Sequence, residues 1–317
     1  MADRGPGTGL SETEAARRLA ERGPVEPPAT SRSTASIVRA NVFTVFNGIL
    51  IVFGVLTLAV GHPEDALFLG IVVANSAIGI VQELRAKNAL DRAVAEGVAA
   101  AVDELDSSDD LRVGVLTGAG GTFSAGMDLK AFLRGETPAI EGRGLCGITE
   151  TPPRKPLIGA VEGWALAGGF ELLLACDLIV AAETARFGVP EVKRSLVAAG
   201  GAALLLPRRV PFNLALEMLL TGEALSAPRA AEIGLVNRLT AEGGALDGAL
   251  ELAATIAANG PLAVAATKAV ARGSADWTFA DGWRQQADLI APVFDSEDAR
   301  EGATAFAEKR APVWKGR

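Results

Sequence analysis

The chain is poor in the side chains that build metal centres and thiol chemistry. Of its 317 residues one is histidine, His62, and two are cysteine, Cys146 and Cys176, thirty positions apart. Structural zinc sites and Cys/His nucleophile pairs need several such groups close together, so neither scheme has its parts and no metal site is expected. Two unpaired cysteines fit a reducing compartment, and Cys176, at the end of an apolar helical run, reads as a small core residue and not as a reactive thiol. Basic clusters are missing as well. Residues 1–92 hold nine acidic and nine basic side chains, the remainder 29 and 21, so the whole net charge of -8 lies in the C-terminal part. Phosphate backbones demand concentrated Lys and Arg, and their absence argues against a nucleic-acid partner. Aromatics are scarce at 5%, yet 49% of the chain is hydrophobic. That surplus suggests that some apolar residues sit in lipid.

A chain of this length exceeds one ordinary core, and it divides into an N-terminal segment 1–41, a hydrophobic region with stalk 42–92, and a domain 93–317. Ser11 with Glu14 forms a capping box that starts a short helix ending near Glu21, before the turn at Gly23-Pro24. Val42 to Val60 is then uncharged over nineteen residues, and Ala66 to Val81 is a second apolar run of sixteen. The first is long enough to cross a bilayer as a helix, and together they predict a two-helix transmembrane hairpin that contacts the membrane through residues 42–82. Arg32 and Arg39 precede the pair, Arg85, Lys87 and Arg92 follow it, and the connection Gly61 to Asp65 has no Lys or Arg. Both ends are therefore expected on the cytoplasmic side, with the C-terminal domain tethered to the inner face of the membrane. Gly9 to Leu19, Gly23-Pro24, the apolar pair and Val81 to Lys87 together resemble the start of a cation-transporting P-type ATPase over about 9–92. No Asp-Lys-Thr-Gly-Thr phosphorylation motif follows, which excludes ion pumping by this chain alone. Thr221-Gly222-Glu223 is read as a helix end.

From Ala93 strand-like and helical runs alternate. A helix is expected over Ala93 to Leu105, strands over Arg112 to Thr117, Pro156 to Val161 and Leu178 to Ala182, and a helix over Gly168 to Cys176. After Phe212 the chain turns almost wholly helical. Such alternation implies an α/β domain with a largely parallel sheet.

Three short segments carry chemistry. Gly121 to Lys130 follows the first strand, and its small residues permit a tight turn whose N–H groups point into a cleft. A dinucleotide-binding reading of Gly118 to Phe123 fails because Phe123 stands where a third glycine is needed and no acidic strand end follows about twenty residues on. In the second segment, Gly163 to Leu172, two glycines at the helix start leave free N–H donors at the positive end of its dipole, suited to an oxygen gaining negative charge. Glu171 falls in the first turn among Phe170, Leu172, Leu173 and Leu174, where desolvation raises a carboxyl pKa toward acid/base use. An exposed glutamate that merely complements the dipole is the bland alternative, disfavoured by apolar neighbours on both sides. In the third, Phe187 to Glu191, Pro190 fixes the chain before a second carboxylate, which alone proves little.

In this order and spacing the three segments resemble the crotonase (enoyl-CoA hydratase/isomerase) superfamily. The match continues through Leu220 to Glu223, Ser226-Ala227, Gly234 to Asn237, Phe294 to Asp298, Glu301-Gly302, Phe306 and Glu308 to Arg310. The resemblance implies a spiral of β-β-α units with a C-terminal helical region. It places an oxyanion hole on the backbone of Ala125 and Gly168, acid/base carboxylates on Glu171 and Glu191, and substrate contacts on Ser124, Met127, Asp128, Leu129, Trp164 and Gly169. It further implies a lyase of fatty acid metabolism that hydrates 2-enoyl-CoA, takes coenzyme A only as part of its substrate, uses no other cofactor, and assembles as a homo-trimer or hexamer. An isomerase, or an inert fusion of a transporter fragment with a truncated enzyme domain, is the alternative. The stretch Val192 to Gly201 departs from the commonest pattern, and the loop Ala131 to Pro153 carries no signature of acyl specificity.

Crotonases open with a strand pair before an Asn-Ala-Leu helix start, which survives here as Asn88-Ala89-Leu90 behind apolar sequence. The opening pair is therefore expected to be lacking. Ala66 to Lys87 and Asn88 to Leu105 contain no proline, so one continuous helix is expected across them. The strand Arg112 to Thr117 is expected to show an unpaired edge.

Overall fold

Asp91 decides where the first helix begins. Its side chain accepts a hydrogen bond from the Val94 N–H at 2.8 Å and caps α1, Arg92–Ser107. The computed structural model describes residues 89–128 and 133–317. The N-terminal helix, the apolar hairpin and the transporter-like motifs before Ala89 lie outside the described residues. The continuous helix expected across 66–105 is not formed, because Ala89 to Asp91 are non-helical. Leu90 is instead drawn into an extended bridge beside Met127, donating to the Gly126 carbonyl at 2.8 Å and accepting from the Asp128 N–H at 3.0 Å. Two backbone bonds and a cap outweigh the propensity that would have carried the helix through. Within α1, Ala95, Ala99, Val102 and Leu105 form the buried stripe.

After α1 come β1 (Gly114–Thr117), β2 (Ala139–Ile140), β3 (Gly144–Leu145), β4 (Leu157–Val161) and β5 (Trp164–Leu166). The helix α2 (Gly168–Ala175) leads to β6 (Leu178–Ala182), β7 (Arg186–Gly188) and a short 3-10 turn, Pro190–Arg194. Then follow α3 (Ala202–Arg209), α4 (Phe212–Thr221), β8 (Leu225–Ser226), α5 (Ala227–Glu232) and β9 (Arg238–Thr240). Four helices close the chain: α6 (Ala245–Ala257), α7 (Pro261–Gly273), α8 (Phe279–Phe294) and α9 (Glu297–Glu308). The parallel sheet expected from the alternation is present in the order β1-β4-β6-β9, with Ile158 opposite both Val115 and Leu178. A second sheet runs β5-β7-β8, the first pair parallel and the second antiparallel, so that β4-β5-α2 and β6-β7-α3 are successive β-β-α units.

Parallel strands covered on both faces read as unbroken apolar runs, and β4 is buried at all five positions. Ile158 and Ala160 face Val180 and Ala249 of α6, while Leu157 and Val161 face the main core with Phe170, Leu173 and Phe187. Every residue of α2 is buried. Glycine at 159 is needed for this layering, since a Cβ there would lie 2.5 Å from Leu173 Cδ2. Asp177 fastens α7 to the sheet: Lys268 Nζ lies at 2.6 Å, Arg272 Nε at 2.8 Å, and the Leu157 N–H donates to it at 2.8 Å. Arg209 donates to the carbonyls of Leu174 and Cys176, and burial holds the Cys176 thiol up at about 12, in keeping with an inert core residue.

Among the described residues β1 pairs on one side only and ends its sheet, next to a groove of about 320 Å³ lined by Val94, Val98, Val102, Val115 and Leu116. Gly222 ends α4 in the left-handed region, as expected of a helix terminus. The mostly helical C-terminal half is interrupted by β8 and β9. No single helix among the described residues is long and apolar enough to cross a membrane.

Candidate active site

The site lies where two turns after neighbouring strands touch. Ala167, between β5 and α2, takes φ 51° and ψ -129°, a conformation an L-residue adopts at a cost, held by its N–H bond to the Gly188 carbonyl at 2.9 Å. The Phe170 and Glu171 N–H groups fold back to the Ala167 carbonyl at 2.9 and 3.0 Å, and α2 starts at Gly168 without a side-chain cap. Alongside runs the turn after β1, stitched by the Ser124 N–H to the Trp164 carbonyl at 3.0 Å and the Leu166 N–H to the Ser124 carbonyl at 2.9 Å. Gly126, at φ 97°, lets the turns meet: a Cβ there would lie 2.7 Å from Ala167 Cβ and 3.3 Å from the Gly168 nitrogen. Gly169 serves the same approach, its Cβ position being 2.7 Å from Ser124 Cβ. The backbones of Ala125 and Gly168 are thus brought together, and neither N–H has an acceptor among the described residues. Two free donors beside a helix start can hold an oxyanion.

Glu171 projects from the first turn of α2 and is only 4% exposed. Its Oε1 accepts from the Ala202 N–H at 3.0 Å, where α3 begins. Burial raises its pKa above the usual carboxylate range, and the backbone N–H groups of Ala202, Gly200 and Gly201 oppose the rise by stabilising the ionised form. Glu191, in the first turn of the 3-10 turn after Pro190, is half-buried, and its Oε2 is buried with no hydrogen-bond partner among the described residues. Burial raises its pKa too, with the charge of Glu171 adding to the rise while its own backbone N–H and Arg194 oppose it. The two carboxyls expected for acid/base work are thus near enough for the charge of Glu171 to act on Glu191, and they stand in unequal surroundings.

The remaining residues singled out in the sequence lie along the turn after β1 and at the start of β5. Ser124 is buried, and its hydroxyl accepts from the Gly126 N–H at 3.2 Å, shaping the turn. Met127 and Asp128 continue it beside Leu90. Trp164 is 42% exposed at the start of β5. Leu129 lies outside the described residues.

Sequence reasoning missed two contributors. The doublet Gly200-Gly201 was visible as a departure from the usual pattern, and its meaning came only with the approach to Glu171. Leu145 had no signal at all: its Cδ2 would be 3.3 Å from a Cβ on Gly168 and 2.9 Å from one on Gly200, so it walls both halves of the centre. A tight turn places it, with the Leu145 N–H bonded to Thr149 Oγ1 at 2.9 Å and Cys146 at φ 49°.

The family model described as "Enoyl-CoA hydratase/isomerase" matches residues 74–317, so the match begins inside the second apolar run and takes in 74–92 of the stretch that resembled a transporter. A crystal structure of an enoyl-CoA hydratase from Mycobacterium marinum is 58% identical, with a TM-score of 0.71, covering 72% of this chain and 90% of that one. One from Mycobacterium tuberculosis H37Rv is 57% identical, with a TM-score of 0.71 and the same coverage. The carnitinyl-CoA dehydratase of Salmonella typhi is 42% identical over 238 residues, 73% of this chain and 91% of that protein.

Proposed function

The chain belongs to the enoyl-CoA hydratase/isomerase family, and we propose that it adds water across the double bond of a 2-enoyl-CoA. The observation that carries this reading is the unequal setting of two carboxyls, one acting on the other by its charge, near two amides that have no acceptor among the described residues. Among the described residues Glu171 accepts from N–H donors, which favour its ionised form and suit a base, whereas the buried Oε2 of Glu191 has no partner among them and is where a proton is best kept. In the forward reaction a water bonds through its oxygen to the β carbon as Glu171 takes its proton. The electron pair of the double bond moves onto the thioester oxygen, where the N–H groups of Ala125 and Gly168 hold the enolate; losing one such donor typically costs about 3 kcal/mol of barrier. Glu191 then gives its proton to the α carbon. Glu171 ends protonated and Glu191 ionised, and exchange with solvent restores both. Hydration is not a net redox reaction and calls for no metal or redox cofactor.

The hydratase direction is preferred over double-bond isomerisation because both carboxyls are retained and because the Salmonella typhi relative is named a dehydratase. A panel of acyl-CoA thioesters, straight-chain 2-enoyl-CoAs and carnitinyl-CoA included, assayed with the full chain would test it. Hydration or its reverse on at least one is expected; isomerisation without any water addition would contradict it. Homo-oligomerisation as a trimer or hexamer is part of the same reading. A separate proposal, resting on the uncharged run Val42 to Val60, is that the chain is held at a membrane. Full-chain protein released from membranes by alkaline carbonate would overturn it.

A further inference from the structure

Both carboxyls depend on one stretch of chain. Glu191 stands near its start, where Pro190 opens a 3-10 turn that Ser195 closes in the left-handed region at φ 57°, with the Leu196 N–H bonded back to the Glu191 carbonyl at 3.1 Å. At its other end the backbone comes up against Glu171. A Cβ on Gly200 would lie 2.5 Å from Glu171 Oε2 and 2.9 Å from its Cδ, so only glycine lets the main chain reach the carboxylate. Gly201 follows at φ 123°, a conformation closed to L side chains at any reasonable cost, and turns the Ala202 N–H onto Glu171 Oε1 at 3.0 Å. Outside the site, Lys193 Nζ meets Glu223 Oε1 at 2.7 Å and ties the same stretch to the end of α4.

We propose that Pro190 to Ala202 is a single positioning element that sets the two carboxyls against each other, with Gly200 and Gly201 as its required residues. This rests on the hydratase reading given above. N–H groups donate and cannot accept, so the far end of the element holds Glu171 in one rotamer and favours its ionised form against the burial that opposes it, while the near end delivers Glu191. A displacement of the stretch moves both groups, and each loses its place relative to a substrate fixed by Ala125 and Gly168.

Substituting Gly200→Ala in the full chain tests this. The turnover number is expected to fall about a hundredfold, the scale set by an ångström of misplacement, with KM changed no more than about threefold. Losing N–H donors raises the Glu171 pKa, so the acid limb of the kcat/KM profile should move to higher pH. A fall in kcat with an unmoved acid limb would mark a merely structural effect and overturn the proposal. So would unchanged kinetics. If Gly200→Ala fails to fold, the unaltered positions still report: the amide ¹H and ¹⁵N shifts of Gly200, Gly201 and Ala202 should move in Glu171→Gln and stay near their parental values in Glu191→Gln. Equal shifts in both variants, or none, would overturn it. This readout needs no substrate, so a parental chain that hydrates no enoyl-CoA would sink the hydratase reading and leave the positioning claim to be judged on the amides.

Discussion

The charge of Glu171 raises the pKa of Glu191, but the two carboxyls differ in their donors, and that difference predicts separable behaviour. Replacing either by Gln should lower turnover by about two orders of magnitude or more, the usual worth of a positioned acid or base. Near-parental rates in both variants would remove the acid/base assignment. Because burial raises the pKa of both groups, activity that needs ionised Glu171 should fall away at a pH above the ordinary glutamate range. The same shifts bear on stability with the opposite sense. A carboxyl whose folded pKa is raised binds more protons folded than unfolded, so its contribution to stability declines as pH rises from the unfolded pKa through the folded one. Glu191→Gln, which removes a buried unpartnered acid oxygen, should therefore melt higher than the parental chain at neutral pH, and the gain should shrink at a pH of about 4, near the ordinary glutamate value. A gain that grew on acidification would contradict this.

At the scale of elements, α1 and α7 are held by different physics. Removing the cap by Asp91→Ala should cost about 1 kcal/mol. Asp177→Ala should cost more, about 3–5 kcal/mol, because Lys268 and Arg272 are then left without their carboxylate partner. Chemical denaturation of both variants checks the order, and equal losses would show that Asp177 does not anchor α7 as described. These elements also show what was legible in the sequence. β4, β6 and α2 were readable within a residue because mostly apolar runs bounded by proline, glycine or acidic residues leave little choice. Glu171 was readable for the same reason, being the one charge in such a run. The long helix across 66–105 misled because propensity has no view of Leu90 pairing with Met127 some thirty-seven positions on. Leu145 was invisible because the local turn Gly144 to Thr149 carries it against Gly168 and Gly200, which are distant in sequence.

For the molecule as a whole, four exposed aromatic side chains lie on the last two helices: Phe279 at 85%, Trp283 at 62%, Phe294 at 74% and Phe306 at 87%. Contiguous exposed apolar surface commonly marks an association face. The full chain, 32.5 kDa as a monomer, should therefore run in mild detergent as a trimer or hexamer by light scattering, and a monodisperse monomer at micromolar concentration would contradict this. The edge of β1 and its groove predict a second property of the whole chain. Supplying an opening hairpin ahead of Asn88 should raise the melting temperature, and no rise would show that the edge costs nothing. The central claim, that two unlike carboxyls and the amides of Ala125 and Gly168 hydrate an enoyl thioester, is tested most directly by one assay. The full chain is mixed with a short 2-enoyl-CoA in H₂¹⁸O, and the 3-hydroxyacyl-CoA formed is weighed by mass spectrometry beside the Glu171→Gln, Glu191→Gln double variant. The account predicts an ¹⁸O-labelled hydroxyl from the parental chain and almost none from the variant; equal labelling by both, or none by the parental chain with any chain length tried, would contradict it.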